Sequence, residues 1–89
     1  MTTPAPSLME FPCRFAIKVI GNATDGFEQQ VAAIVARHVD EDCIHEIAKR
    51  ASSAGKYQSV TVTIEAHSRA QLDEVYAELT ATPEILMAL

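Results

Sequence analysis

Glycine is scarce in this chain, with three residues, and cysteine is scarcer still, with two. Two of the glycines lie in Gly21-Asn22-Ala23-Thr24-Asp25-Gly26. That spacing fits neither a dinucleotide fingerprint nor a P-loop, and no Lys-Ser/Thr pair follows it. Structural zinc wants four Cys or His ligands in closely spaced pairs, and Cys43 with His45 has no second pair to join. No metal site, cofactor or catalytic residue is therefore assigned. Bases are also in deficit, seven against twelve acids, for a net charge of −5. Proteins that grip phosphates usually carry the opposite sign, which argues against nucleic acid and anionic membranes as partners. No apolar run nears the ~20 residues needed to span a bilayer. The first residues lack the charge and hydrophobic segment of a secretory signal, so the expected location is the cytoplasm.

What remains is ordinary globular material: 48% hydrophobic, 21% charged and 89 residues long, enough for one modest core but not two. Residues 1–7 carry two prolines and no periodicity and read as a disordered tail, leaving residues 8–89 as a single domain. Phe15, Ile17 and Val19 alternate with Ala16 and Lys18 as a strand that Gly21 ends. Asp25 and Glu28 have the spacing of a capping box. Phe27, Val31, Ile34 and Val35 then follow at helical period, with the helix expected to end near Val39. Residues from Cys43 to Arg50 fit neither period well. Helix and edge strand compete there, and a strand is preferred because its neighbour needs a hairpin partner. Gly55 supplies the positive φ that such a hairpin loop requires. Val60, Val62 and Ile64 alternate with Thr61, Thr63 and Glu65 as the central strand. Ser68 and Gln71 form a second capping box, before the stripe Leu72, Val75, Tyr76 and Leu79. Pro83 stops that helix, and Ile85 to Leu89 closes the chain as a strand apolar on both faces.

The order is β-α-β-β-α-β, a ferredoxin-like α+β plait: a four-stranded antiparallel sheet with two helices on one face. The first and third strands are central. Cys13 and Cys43 then begin strands separated by a third, about two spacings of 4.8 Å, beyond disulfide reach, and are expected free. The apolar last strand is an edge, which calls for cover by Leu8–Phe11 or by another chain, and so raises a possible homodimer.

Two surfaces emerge as candidates. The first is the loop between first strand and first helix, where Gly21, Asn22, Thr24 and Asp25 can hold a small polar metabolite. The second is the hairpin, where Lys49, Arg50 and Lys56 gather three of the seven bases around Ser52, Ser53 and Tyr57. An anionic ligand or acidic protein partner suits it. A Cys–His dyad using Cys13 or Cys43 is conceivable, but nothing in the sequence supplies an orienting group or an oxyanion hole. RNA-binding domains of this topology stack bases on strand aromatics. Here the third strand offers Ser59, Thr61, Thr63 and Glu65, with Tyr57 its one aromatic.

Several stretches together resemble the YbeD-like family of small bacterial proteins: Glu10-Phe11-Pro12-Cys13 before Ile17-Lys18-Val19-Ile20-Gly21, then Arg50 to Tyr57 followed by Ser59 to Thr63, then Ser68 to Leu72, and Ile85 to Leu89. That family usually has proline where Ala51 stands and a basic residue where Ala54 stands. The resemblance implies a plait similar to ACT domains, regulatory modules that bind small molecules, often amino acids, at dimer interfaces. Their usual ligand loop maps onto Gly21 to Gly26. It also implies a regulatory role with a connection to lipoate metabolism, and it carries no catalytic residues. A protein adaptor using the hairpin or the last strand is the alternative reading.

Overall fold

β-Branched side chains at every second position favour a pleated surface with one dry face, and the computed structural model builds its sheet on that row. It describes residues 10–52 and 54–89. The tail read over residues 1–7, the pair Leu8 and Met9, and Ser53 lie outside the described residues.

The elements are β1 (Cys13–Asn22), α1 (Phe27–Ala36), a 3-10 turn (Glu41–Cys43), β2 (Ile44–Ala51), β3 (Tyr57–Ala66), α2 (Arg69–Thr80) and β4 (Ile85–Ala88). The sheet runs β2-β3-β1-β4, with every neighbouring pair antiparallel. β1 and β3 are central and pair continuously from Cys13 opposite Ala66 to Asn22 opposite Tyr57. Val60, Val62, Ile64 and Ala66 are buried on the helix side with Ile17 and Val19. They meet Phe27, Val31, Ile34 and Val35 from α1, and Leu72, Val75 and Leu79 from α2. Each such burial contributes about 1.5–3 kcal/mol for a Val, Leu, Ile or Phe.

Several boundaries differ from the sequence reading. β1 does not stop at Gly21 but runs through Asn22. Gly21 is there for packing: a Cβ on it would lie 2.3 Å from Phe27 Cε1 and 2.7 Å from the Glu84 carbonyl oxygen. Asp25 does not cap α1. Gly26 holds the N-cap position at φ 84°, a left-handed conformation that costs glycine little, and among the described residues no side chain caps the start of this helix. The helix ends at Ala36, because the Arg37 and His38 N–H groups turn back to the Ile34 and Val35 carbonyls. Val39 is still buried, which is why the apolar period runs past the true end. Cys43 closes the 3-10 turn, and β2 starts one residue later.

The second helix is closer to expectation. Ser68 Oγ accepts from the Gln71 backbone N–H, while the side-chain oxygen Gln71 Oε1 accepts from the His67 N–H rather than from that of Ser68. Gln71 Nε2 also donates to the His38 carbonyl, tying the turn after α1 to the start of α2. Arg69 and Asp73 form the i,i+4 pair at 3.5 Å. Gly55 takes φ 72° in the β2–β3 hairpin. Among the described residues no helix is long and apolar enough to cross a membrane.

Candidate functional site

The loop after β1 is held in place from the sheet. Gln58 lies in the inward row of β3 and is 9% exposed, a polar side chain among valines. Its Nε2 donates to the carbonyls of Asn22, at 3.3 Å, and Thr24, at 3.1 Å. The Ala23 N–H donates to the Lys56 carbonyl at 3.0 Å, so the loop is fastened to the hairpin as well. Thr24 then receives the Phe27 N–H at 3.3 Å, and the chain enters α1 with its backbone already ordered.

The result is a cleft of about 480 Å³ between this loop and β2. Thr24, Asp25, Glu28 and Gln29 line it from the loop and helix, and Lys49 and Gln58 from the sheet. Lys49 Nζ stands 3.7 Å from Glu28 Oε1, with both side chains partly exposed. A screened pair of this kind is worth about 0–1 kcal/mol, so an incoming ligand can exchange with it at little cost. The cleft therefore presents two carboxylates, one ammonium, and hydroxyl and amide side chains.

The ten residues singled out from the sequence spread over the cleft, the end of β1 and the hairpin. Thr24, Asp25 and Lys49 share the cleft. Gly21 and Asn22 form the end of β1, where Gly21 is buried beneath Phe27 and Asn22 offers its carbonyl to Gln58. Arg50, Ser52 and Tyr57 line a shallow depression of about 210 Å³ on the helix-free face, beside Lys18 and Ile20. Tyr57 N–H donates to Ser52 Oγ at 3.2 Å, which braces the hairpin. Lys56 lies in the turn, and Ser53 is outside the described residues. Lys49 and Arg50 also border a common depression of about 280 Å³ beside Lys18, although they belong to opposite faces of β2. Lys49 is registered with inward-facing Val60, and Arg50 with Ser59 on the open face.

Gln58 and Glu28 were not picked out as site residues. Glu28 has the spacing of half a capping box, but with Gly26 at the N-cap that box does not form. Gln58 was legible in principle, because its parity matches Val60, Val62 and Ile64, and a polar residue in a buried row has a polar task.

The thiols are free, both Cys13 and Cys43 being half-buried. Cys43 Sγ lies 3.4 Å from Nε2 of His67, not of His45; His45 instead stands 3.5 Å from Glu65 Oε1. Partial burial pushes the Cys43 thiol above its ordinary 9.0, and Glu65, Asp40 and Asp42 push the same way. A nucleophilic cysteine needs the opposite shift. His38 Nε2 is 2.7 Å from Glu78 Oε1 and the ring also nears Glu74, and Arg37 pairs with Glu78, so the turn after α1 is tied to α2. Among the described residues no three His, Cys, Asp or Glu side chains gather as a metal site would need.

Comparison with known proteins agrees with this architecture. A family described as "Protein of unknown function (DUF493)" matches residues 6–89. A UPF0250 protein of Chromobacterium violaceum is 37% identical over 89 residues, covering 100% of both chains. Another, from Janthinobacterium sp., is 43% identical over 86 residues, covering 97% of this chain and 94% of the relative. Among solved structures, protein HP0495 from H. pylori superposes with a TM-score of 0.73 at 15% identity, covering 100% of this chain and 97% of that one. The ACT domain from GTP pyrophosphokinase of Chlorobium tepidum superposes with a TM-score of 0.68 at 14% identity, covering 85% and 94%. At such identities these structures speak for the fold alone, and the fold is ACT-like. The curated relatives bear out the family resemblance drawn from the sequence, and the chain belongs to the DUF493 (UPF0250) family.

Proposed function

We propose that this chain is a non-enzymatic sensing module that takes a small zwitterionic metabolite in the cleft between the β1–α1 loop and β2. The observation that carries the reading is the convergence of Asp25, Glu28 and Lys49 on one polar cleft of about 480 Å³. Small-molecule sites typically measure about 300–1,000 Å³ and fix their ligands with a few placed polar groups. A ligand ammonium finds the carboxylates, and a ligand carboxylate finds Lys49. A polyphosphate meets two acids for one base and is disfavoured. The ACT-like fold supports the reading, since the loop concerned is the one at which such domains hold their ligands.

The test is a thermal-shift screen of amino acids, lipoate and nucleotides. At a hundredfold excess over Kd, binding stabilises by about 2.7 kcal/mol, which for a domain this small raises Tm on the order of 10 °C. Amino acids or related zwitterions should give that shift, and Lys49→Glu should abolish it while the variant's own melting stays cooperative. A panel without effect on the folded protein would overturn the reading.

A second reading, a protein adaptor, is favoured by one observation. Leu86, Met87 and Leu89 at the β4 edge are 55%, 50% and 59% exposed. Its mark would be a defined protein complex lost on Leu86→Ser and indifferent to metabolites.

A further inference from the structure

Charge is divided unevenly over the sheet. Lys18 on β1 is registered with Thr61, and Arg50 on β2 with Ser59, so these two cations stand astride β3 on the helix-free face. Both are exposed, and neither has an ion-pair partner among the described residues. Arg37, Lys49 and Arg69, by contrast, each stand beside a carboxylate. The acids of the helix-free face, Glu46 and Glu65, are registered with Thr63 and Arg14, toward its far end. The half nearer the hairpin thus holds two free cations on a protein whose net charge is −5. Two open depressions, of about 210 and 280 Å³, adjoin there, and Lys18, Arg50 and Ser59 border both. Toward β4 the surface turns apolar. Met87 is registered with Ile20, Leu89 exchanges backbone hydrogen bonds with Lys18, and Tyr57, Met87 and Leu89 are all exposed.

We infer that this half of the helix-free face docks an acidic amphipathic helix of another protein. Three strand spacings make the sheet about 14 Å wide, and a helix with its side chains is about 10–12 Å across, so one helix fills it. The apolar stripe of that helix lies on Ile20, Tyr57, Met87 and Leu89, and its flanking Asp or Glu residues reach Lys18 and Arg50. Charge complementarity selects the partner, because a docked carboxylate meets cations that have no ion pair to give up. Tyr57 and Arg50 are also of the residue types that anchor protein interfaces. The depressions are open, whereas a small-molecule site buries most of its ligand. A nucleic acid needs a stacking platform on a basic surface, and this face offers Tyr57 and two cations on an acidic protein. A second copy of this chain has acidic helices, but they point away from the bare face. Such a contact runs head to tail and builds open chains rather than a closed pair. The cleft of Asp25 and Glu28 lies on the other side of the sheet, so neither proposal depends on the other.

Amide NMR of the full chain tests this, with a synthetic helical peptide of about 18 residues that carries leucines along one stripe and glutamates on both flanks. Shifts should centre on Lys18, Ile20, Arg50, Tyr57 and Ser59 and leave Asp25 to Gln29 unmoved. Lys18→Glu and Arg50→Glu should each weaken binding about tenfold, and raised salt should weaken it further. Met87→Ser should weaken it through lost apolar contact, whereas Asp73→Lys on α2, the control, should not. Circular dichroism melts check that each variant is folded. A lysine-for-glutamate version of the peptide and a single-stranded oligonucleotide serve as comparison probes, and neither should shift the amides around Lys18 and Arg50. Binding no tighter than that of a scrambled peptide, shifts centred on α1 or α2, or indifference to both reversals would overturn the inference. So would an oligonucleotide held at Lys18 and Arg50 more tightly than the peptide. Sedimentation velocity is the last check: self-association of the wild type that Lys18→Glu abolishes would put a second copy on this face and overturn it too.

Discussion

Phe27 lies against Gly21 so closely that a single added carbon at position 21 would sit 2.3 Å from the phenyl ring and 2.7 Å from the Glu84 carbonyl. One neighbour is a fully buried core side chain and the other is backbone, so neither can yield cheaply. Gly21→Ala should therefore destabilise the fold by about 1–3 kcal/mol, the usual cost of overpacking. Urea denaturation measures it. Phe27→Leu placed in the Gly21→Ala background should recover part of the loss, whereas in the wild type it should only destabilise. Additive losses in the double variant would contradict the packing account.

Gln58 fastens the cleft loop to β3, its side-chain amide donating to the Asn22 and Thr24 carbonyls. Gln58→Leu leaves two carbonyls without that donor and should cost about 1–3 kcal/mol. Amide exchange should speed up from Ala23 to Phe27 and stay unchanged in β3. Uniform loss of protection would instead mean that Gln58 supports the whole sheet.

These two residues also show what the sequence could reveal and what it could not. The inward row of β3, the stripes of both helices and the strand order all follow from apolar periods, because burial on one face is what imposes a period. β2 was legible as a strand only through its need for a partner. It buries little, with Ile44 and Ile47 half-covered, and its register shifts between Ile44 and Glu46, which breaks the alternation. Gly21 looked like the start of a loop because small residues usually mark turns; the ring that requires it lies six positions on and was invisible from local pattern. Asp25 had the spacing of a cap, but Gly26 took the left-handed position and displaced it. The meeting of Asp25 with Lys49 depends on the β2 register, which no local signal encodes.

Cys43 should react slowly. With its thiol pushed up by partial burial and by Glu65, Asp40 and Asp42, the pH–rate profile for iodoacetamide in a Cys13→Ser background should have its midpoint above 9.0. Glu65→Gln removes the carboxylate that acts most strongly on the thiol and should lower that midpoint. A midpoint below 9.0 would restore the case for a thiolate paired with His67.

Tyr76 makes the fold sensitive to alkali. Burial holds its phenol above the ordinary 10.0, and its hydroxyl donates to the Leu89 carbonyl at 2.7 Å. Between the unfolded and folded values the native state holds the proton more tightly. This contribution is complete below about pH 10 and is lost as pH rises through the folded value. Tyr76→Phe should cost about 0.5–1.5 kcal/mol near neutrality through the lost hydrogen bond, yet flatten the decline in stability above pH 10. An unchanged alkaline slope would contradict this assignment.

The central claim is that the cleft beside the β1–α1 loop binds a small zwitterion, and a two-dimensional amide NMR titration with amino acids, lipoate and nucleotides tests it most directly. The account predicts shifts confined to Asn22 through Gln29 together with Lys49 and Gln58, produced by zwitterions and lost in Lys49→Glu. A silent spectrum from a folded protein, or shifts centred on Ile85 to Leu89, would contradict it and turn attention to the β4 edge as a protein-docking surface.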